Sequence, residues 1–145
     1  AGIGLDVIIG FPGETDTQFK TTYELIRSLP ISYLHVFPFS PRKGTPAYHF
    51  TPKVNGKIIK ERCARMRKLD QEKRKTFIKH NMNRPLQGIV QHQEDKATGQ
   101  LKAVTSNYLT VRLNSKGEHI KGKLVDLRIT GFDETLTVFG TLISN

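Results

Sequence analysis

The sequence predicts an α/β segment followed by an all-β one: a parallel β-α-β unit, a long basic helix, then a small five-stranded antiparallel β-barrel. Three observations carry this reading. Leu5 and Val7 to Ile9 form an apolar run without alternation, ending in Gly10-Phe11-Pro12-Gly13. That is how a strand covered on both faces reads when it feeds a tight turn. From about Lys57 to His80, apolar residues recur at helical spacing among many cations. Beyond Pro85 the pattern changes to short stretches in which every second residue is apolar, the period of half-buried strands.

The elements follow in chain order. After the first strand, Thr15 and Gln18 have the spacing of a capping box, and Phe19, Thr22, Tyr23, Ile26 and Leu29 share one helical face. Pro30 closes that helix, and Ile31 to Phe37 read as a second, mostly apolar strand. A right-handed crossover between them makes the strands parallel, yet two strands and one helix leave an open sheet edge and a half-covered face. Pro38 to Pro46, with three prolines and a glycine, is a loop at the carboxyl end of the second strand. In the long helix Ile59, Cys63, Met66, Leu69 and Phe77 trace the apolar stripe, and Pro85 ends it. Strands are expected over 86–92, 101–105, 109–113, 125–129 and 136–143, with turns at 94–99, 106–107, 114–117 and 131–134. Five short strands in so few residues close most economically into a barrel of a kind that often binds oligonucleotides. The expected division is therefore residues 1–83 and 84–145.

Charge narrows the partner. The 145 residues carry a net charge of +10, and most of the excess lies in residues 57–84, where 11 Lys and Arg face three Asp and Glu. Clustered cations release condensed counterions together when they meet phosphates, so the stripe points to a polyanion; a solvated helix face is the alternative. A single cysteine, Cys63, leaves no disulfide framework and no site built from several thiolates of this chain. No run approaches the roughly 20 apolar residues of a membrane span and no leader opens the chain, so a cytosolic protein without membrane partner is expected. Because the chain opens at Ala1, three residues before a buried strand, the first segment is expected to be cut from a larger domain.

Two long stretches carry a resemblance. Asp6-Val7-Ile8-Ile9-Gly10-Phe11-Pro12-Gly13-Glu14-Thr15 and Tyr33-Leu34-His35-Val36-Phe37-Pro38-Phe39-Ser40-Pro41-Arg42-Lys43-Gly44-Thr45-Pro46-Ala47 resemble the carboxyl part of the radical S-adenosylmethionine methylthiotransferases. The tail from Arg84 resembles their TRAM domain, a small OB-like RNA-binding barrel. The wording from Leu34 to Ser40 is most similar to the branch acting on N6-threonylcarbamoyladenosine in tRNA; other branches act on isopentenyladenosine or on a ribosomal protein. The resemblance implies that residues 1–83 are the end of a partial TIM-type radical enzyme barrel. It implies S-adenosylmethionine and two [4Fe–4S] clusters in the full-length enzyme, tRNA as partner, and an amino-terminal portion holding the cluster cysteines. The chain alone would then be inactive, with no catalytic residue and no metal ligand of its own. The contrasting reading is a free-standing RNA-binding module.

The resemblance also marks residues. Ile8 and Gly10 at the end of the first strand, with Val36 and Phe37 at the end of the second, would meet the adenine of S-adenosylmethionine; read from the residues alone, such strand ends are core. His35 either touches substrate or is a core histidine bonded to a carbonyl. Arg42 and Lys43 on the following loop are candidates for RNA contact, as are Arg65, Arg67, Arg74 and Lys75 on the basic helix. On the barrel, Tyr108, Arg112 and Lys123, with His92, His119, Lys102, Lys121 and Arg128, offer a stacking and phosphate surface.

Overall fold

The computed structural model describes residues 2–115 and 117–143. Lys116, within the expected turn at 114–117, lies outside the described residues. The chain divides into two compact units, Ile3–Arg74 and a second from Lys75 onward.

In the first unit, β1 (Gly4–Ile9) pairs in parallel with β2 (Tyr33–Pro38), from Gly4 opposite Tyr33 to Ile9 opposite Pro38. Between them runs α1 (Asp16–Ser28), started by the expected capping box: Gln18 N–H donates to the Thr15 hydroxyl and Thr15 N–H to the Gln18 side chain. The helix α2 (Gly56–Asn81) begins where the Asn55 side chain accepts from Lys57 N–H. Phe19 and Ile26 of α1 and Cys63, Met66 and Leu69 of α2 pack against Ile9 and Leu34 in one buried cluster. That cluster lies on one face of the strands only. Burial along β1 alternates, with Gly4, Asp6 and Ile8 exposed: within this chain one face alone is covered, the half-covered sheet expected of two strands and one helix. Both helices serve the face of Leu5, Val7 and Ile9, and the other is left open, as two strands in a crossover allow.

The second unit is a closed five-stranded barrel ordered β3-β4-β5-β7-β6. Its strands are β3 (Pro85–Val90), β4 (Lys102–Thr105), β5 (Thr110–Leu113), β6 (Leu124–Phe132) and β7 (Val138–Leu142). The barrel is mixed, which corrects the antiparallel expectation: β5 and β7 are parallel neighbours. The reason is parity. Directions cannot alternate all the way around a ring with an odd number of strands, so one neighbouring pair must be parallel. Here β6 runs back beside both β3 and β7, which returns β7 in the direction of β5. Val90, Leu101, Ala103, Val111, Leu113, Leu127, Ile129 and Val138 fill the interior, with Ile78 from the last turns of α2. Gly131, expected in a turn, belongs to β6, where the register shifts between Ile129 and Gly131; the turn falls at Asp133, whose carboxylate accepts from Thr135 and Thr137 N–H.

Candidate strand-end site and nucleic-acid interface

At the end of β1 the chain turns sharply. Gly10 has φ +88° and is buried, and a Cβ there would lie 2.4 Å from Ile59 Cγ1. Glycine is thus needed both for the left-handed backbone and for the approach of α2. Gly10 N–H donates to Glu14 Oε1 at 3.2 Å, Phe39 N–H to Ile9 O at 2.7 Å, and Gly13 N–H to Pro52 O at 2.8 Å. These bonds tie together the loops that follow β1 and β2. Phe11 then meets Phe39 edge-on at 5.3 Å and Phe50 at 6.0 Å.

The turn is also fastened to α2. Arg62, almost wholly buried, donates to Glu14 Oε1 at 2.9 Å, to Glu14 O at 3.1 Å and to Asp16 Oδ1 at 2.7 Å. Burial opposes the Arg62 charge, but its bonds to Asp16 and Glu14, with the charges of those carboxylates, outweigh it and hold the guanidinium above its ordinary pKa. Its hydrogen bond and charge in turn hold the Asp16 carboxyl below the usual carboxylate range. Sequence reading missed this latch. The available signal was a charge at Arg62 inside the apolar stripe of α2, matched by a second at Asp70. Asp70 is buried as well: its carboxylate accepts Leu34 N–H at 2.7 Å and Arg74 Nε at 2.8 Å.

The strand-end candidates fall on different faces. Ile8 and Phe37 stand opposite each other in register, with 59% and 50% of their surface exposed, on the open face of the sheet. Val36 pairs with Val7 and packs its side chain with the covered cluster, and its carbonyl accepts from Arg67. His35 is exposed, opposite Asp6 and edge-on to Tyr33 at 5.3 Å. It is therefore not a core histidine, because its register places it on the uncovered side.

Among the helix cations chosen from sequence, three have partners. Arg65 lies over Phe19 at 5.2 Å and Tyr23 at 5.4 Å, Arg67 donates to Val36 O at 3.4 Å, and Arg74 pairs with Asp70 and covers Tyr33 at 5.2 Å. Lys75 is exposed, as are Lys57, Lys60, Lys68 and Lys79. Arg42 and Lys43 project from the loop after β2, where Thr45 bonds back to Arg42 O and Gly44 takes φ +87°. On the barrel, Tyr108 and Lys123 are exposed, whereas Arg112 is paired with Asp95 at 3.0 Å. Lys121 likewise pairs with Glu94 at 3.0 Å.

Among the described residues no three His, Cys, Asp or Glu side chains converge on a possible metal position. Cys63 is buried, and burial pushes its thiol pKa up, which disfavours the thiolate that an iron–sulfur cluster needs. No helix among the described residues is long and apolar enough to cross a membrane.

No family model matches the chain. Curated relatives do. Threonylcarbamoyladenosine tRNA methylthiotransferase MtaB of Aquifex aeolicus is 37% identical over 129 residues, covering 89% of this chain and 29% of the relative. The MtaB of Bacillus subtilis is 35% identical over 126 residues, 86% of this chain and 28% of the relative. The tRNA-2-methylthio-N(6)-dimethylallyladenosine synthase of Protochlamydia amoebophila is 29% identical over 143 residues, 97% of this chain and 31% of the relative. The chain thus spans less than a third of the length of these relatives.

Proposed function

We propose, on the premise that this chain belongs to the methylthiotransferase family, that it acts as the substrate- and cofactor-holding part of a longer enzyme that adds a methylthio group to threonylcarbamoyladenosine in tRNA. The observation behind this is the 129-residue match to a protein of that name. A match of that length exceeds either compact unit, so it takes in sequence from both.

Within that reading the open face of β1 and β2 belongs to a larger radical-enzyme barrel, and the five-stranded barrel is the TRAM domain. The apolar pair Ile8 and Phe37 is suited to the adenine of S-adenosylmethionine, with the Val36 backbone beside it. Gly10 acts indirectly, by letting Ile59 and the Glu14–Arg62 latch hold the turn in place. S-adenosylmethionine, when bound, supplies the methyl group and the adenosyl fragment of the family's radical chemistry. This chain's residues hold and orient it. They do not fit the two [4Fe–4S] clusters, for which a lone buried thiol is no ligand set, so those belong to a further portion of the enzyme. Arg42, Lys43 and the exposed lysines of α2 meet tRNA phosphates, together with Arg65, Arg67, Arg74, Lys75, Arg112 and Lys123, and Tyr108 meets RNA beside them. A tRNA substrate puts the work in the cytoplasm.

The similarity to the dimethylallyladenosine synthase favours a second substrate, the dimethylallyl nucleoside. Deleting the gene and digesting total tRNA for mass spectrometry decides between them. Loss of the methylthio form of threonylcarbamoyladenosine, restored by the full-length gene, is the expected result. Loss of the dimethylallyl form instead moves the enzyme to the other branch, and no change in either nucleoside overturns the proposal.

A further inference from the structure

We infer that the turn between β4 and β5 is a preorganised stacking post for an unpaired nucleobase, with Tyr108 as the stacking ring and Asn81 as the residue that positions it. The inference rests on the tRNA reading above and adds which residue meets a base.

Tyr108 has φ +67° and 74% of its surface exposed. The left-handed region is where turns take Gly or Asn, because a Cβ crowds the neighbouring carbonyl there. A tyrosine at this position strains the fold. The ring gives little back: among the described residues it has no aromatic or cation–π partner. The turn itself is closed without it. Tyr108 N–H donates to Thr105 O at 3.0 Å, Thr105 N–H to Leu109 O at 2.9 Å, and Leu109 N–H to the Thr105 hydroxyl at 2.9 Å. The Thr105 hydroxyl donates to Asn107 Oδ1, Asn107 Nδ2 donates to Asn81 Oδ1 at 2.9 Å, and Asn81 Nδ2 donates to Phe77 O at 2.8 Å. This chain of bonds runs from the last turns of α2 to the residue before Tyr108. It holds the tip in one conformation, so little ordering entropy remains to be lost when a base arrives.

The barrel offers an RNA little net charge. Residues 85–145 carry seven Lys and Arg against six Asp and Glu, and Arg112 and Lys121 are already paired. Stacking needs no charge, and it suits any base because every base has a π face. On the neighbouring strands of the same barrel, Ile89 pairs with both Val104 and Leu124, and Ile89 and Leu124 are exposed.

The test uses the 145-residue chain, a fluorescent anticodon stem–loop RNA, and thermal unfolding of the same samples. Tyr108→Gly is expected to weaken binding roughly 5- to 150-fold, the range for losing one base–aromatic stack, while Tm stays equal or rises because glycine relieves the backbone. Tyr108→Phe is expected to bind like wild type. Asn81→Ala is expected to weaken binding less, and the double variant Asn81→Ala with Tyr108→Gly to bind no worse than Tyr108→Gly alone, since a positioner acts only through its ring. Unchanged affinity for Tyr108→Gly, or a fall in Tm alongside the loss of affinity, overturns the stacking assignment and leaves the tRNA reading standing. Failure of the wild-type chain to bind the stem–loop at all overturns the stacking assignment, while the tRNA reading stands or falls on the nucleoside analysis of the deletion strain.

Discussion

Arg62 shows how much a single side chain decides. Its guanidinium is buried against Glu14, whose side chain is 13% exposed, and against Asp16, which is 84% exposed. One arm therefore meets a desolvated partner and the other a solvated one. Among the described residues its Nε is buried without a hydrogen-bond partner, a cost that the two carboxylates offset. Truncating one member of a buried pair leaves the other charge uncompensated. Arg62→Met should thus lower stability in urea by roughly 3 kcal/mol, the low end for such a pair because Asp16 stays in water. Combining it with Glu14→Gln should restore part of the loss, since no buried charge is then left unpaired. If Arg62→Met unfolds like wild type, the latch contributes nothing beyond the packing of this side chain over the Phe19 ring, 5.7 Å away.

At the level of elements, the barrel depends on two turns built around carboxylates. Asp95 is held below the usual carboxylate range first by the hydroxyl of Thr98, and Asp133 first by the hydroxyl of Thr135 and then by Thr137 N–H. A carboxyl whose pKa is depressed on folding binds its proton more readily in the unfolded chain. The stability it gives is present above the unfolded value of about 3.9 and is lost as pH falls through the lower folded one. The urea midpoint of the barrel should accordingly drop as pH is lowered below about 4, and Asp133→Asn should flatten part of that drop. A midpoint independent of pH over that window would show that these turns form without their carboxylates. The parallel β5–β7 pair belongs to the same scale, because closing a ring of five strands imposes it on strands that each look ordinary in sequence.

For the whole molecule, the net charge of +10 matters through where it sits. Helix α2 holds most of the excess, but its arginines are divided between solvent and the fold: Arg62 and Arg74 pair with carboxylates, and Arg65 lies on two aromatic rings. Replacing Arg65, Arg67, Arg74 and Lys75 together would confuse lost binding with lost structure. Lys60, Lys68, Lys75 and Lys79, all exposed, separate the two. Changing them to Gln should leave unfolding intact, weaken tRNA binding and lower the slope of log K against log salt by about 0.7–0.9 for each phosphate contact removed. An unaltered slope would mean that α2 only solvates itself.

Local chemistry was legible before any coordinates. The capping box at Thr15 and Gln18, the apolar stripe through Cys63, Met66 and Leu69, and the alternation in β3 to β7 depend on neighbours close in sequence, so residue spacing by itself determined them. So did the likeness to the methylthiotransferases, which rests on two worded stretches rather than on shape. Only the tertiary structure decided which face of β1 is covered, that His35 stands in solvent, that Arg62 and Asp70 are buried, and that β5 runs parallel to β7. Each of these turns on partners far away along the chain. A periodicity records that a side chain has an apolar or polar side to serve, but which element arrives there, and from which direction, is fixed only when the sheet closes and the helices pack.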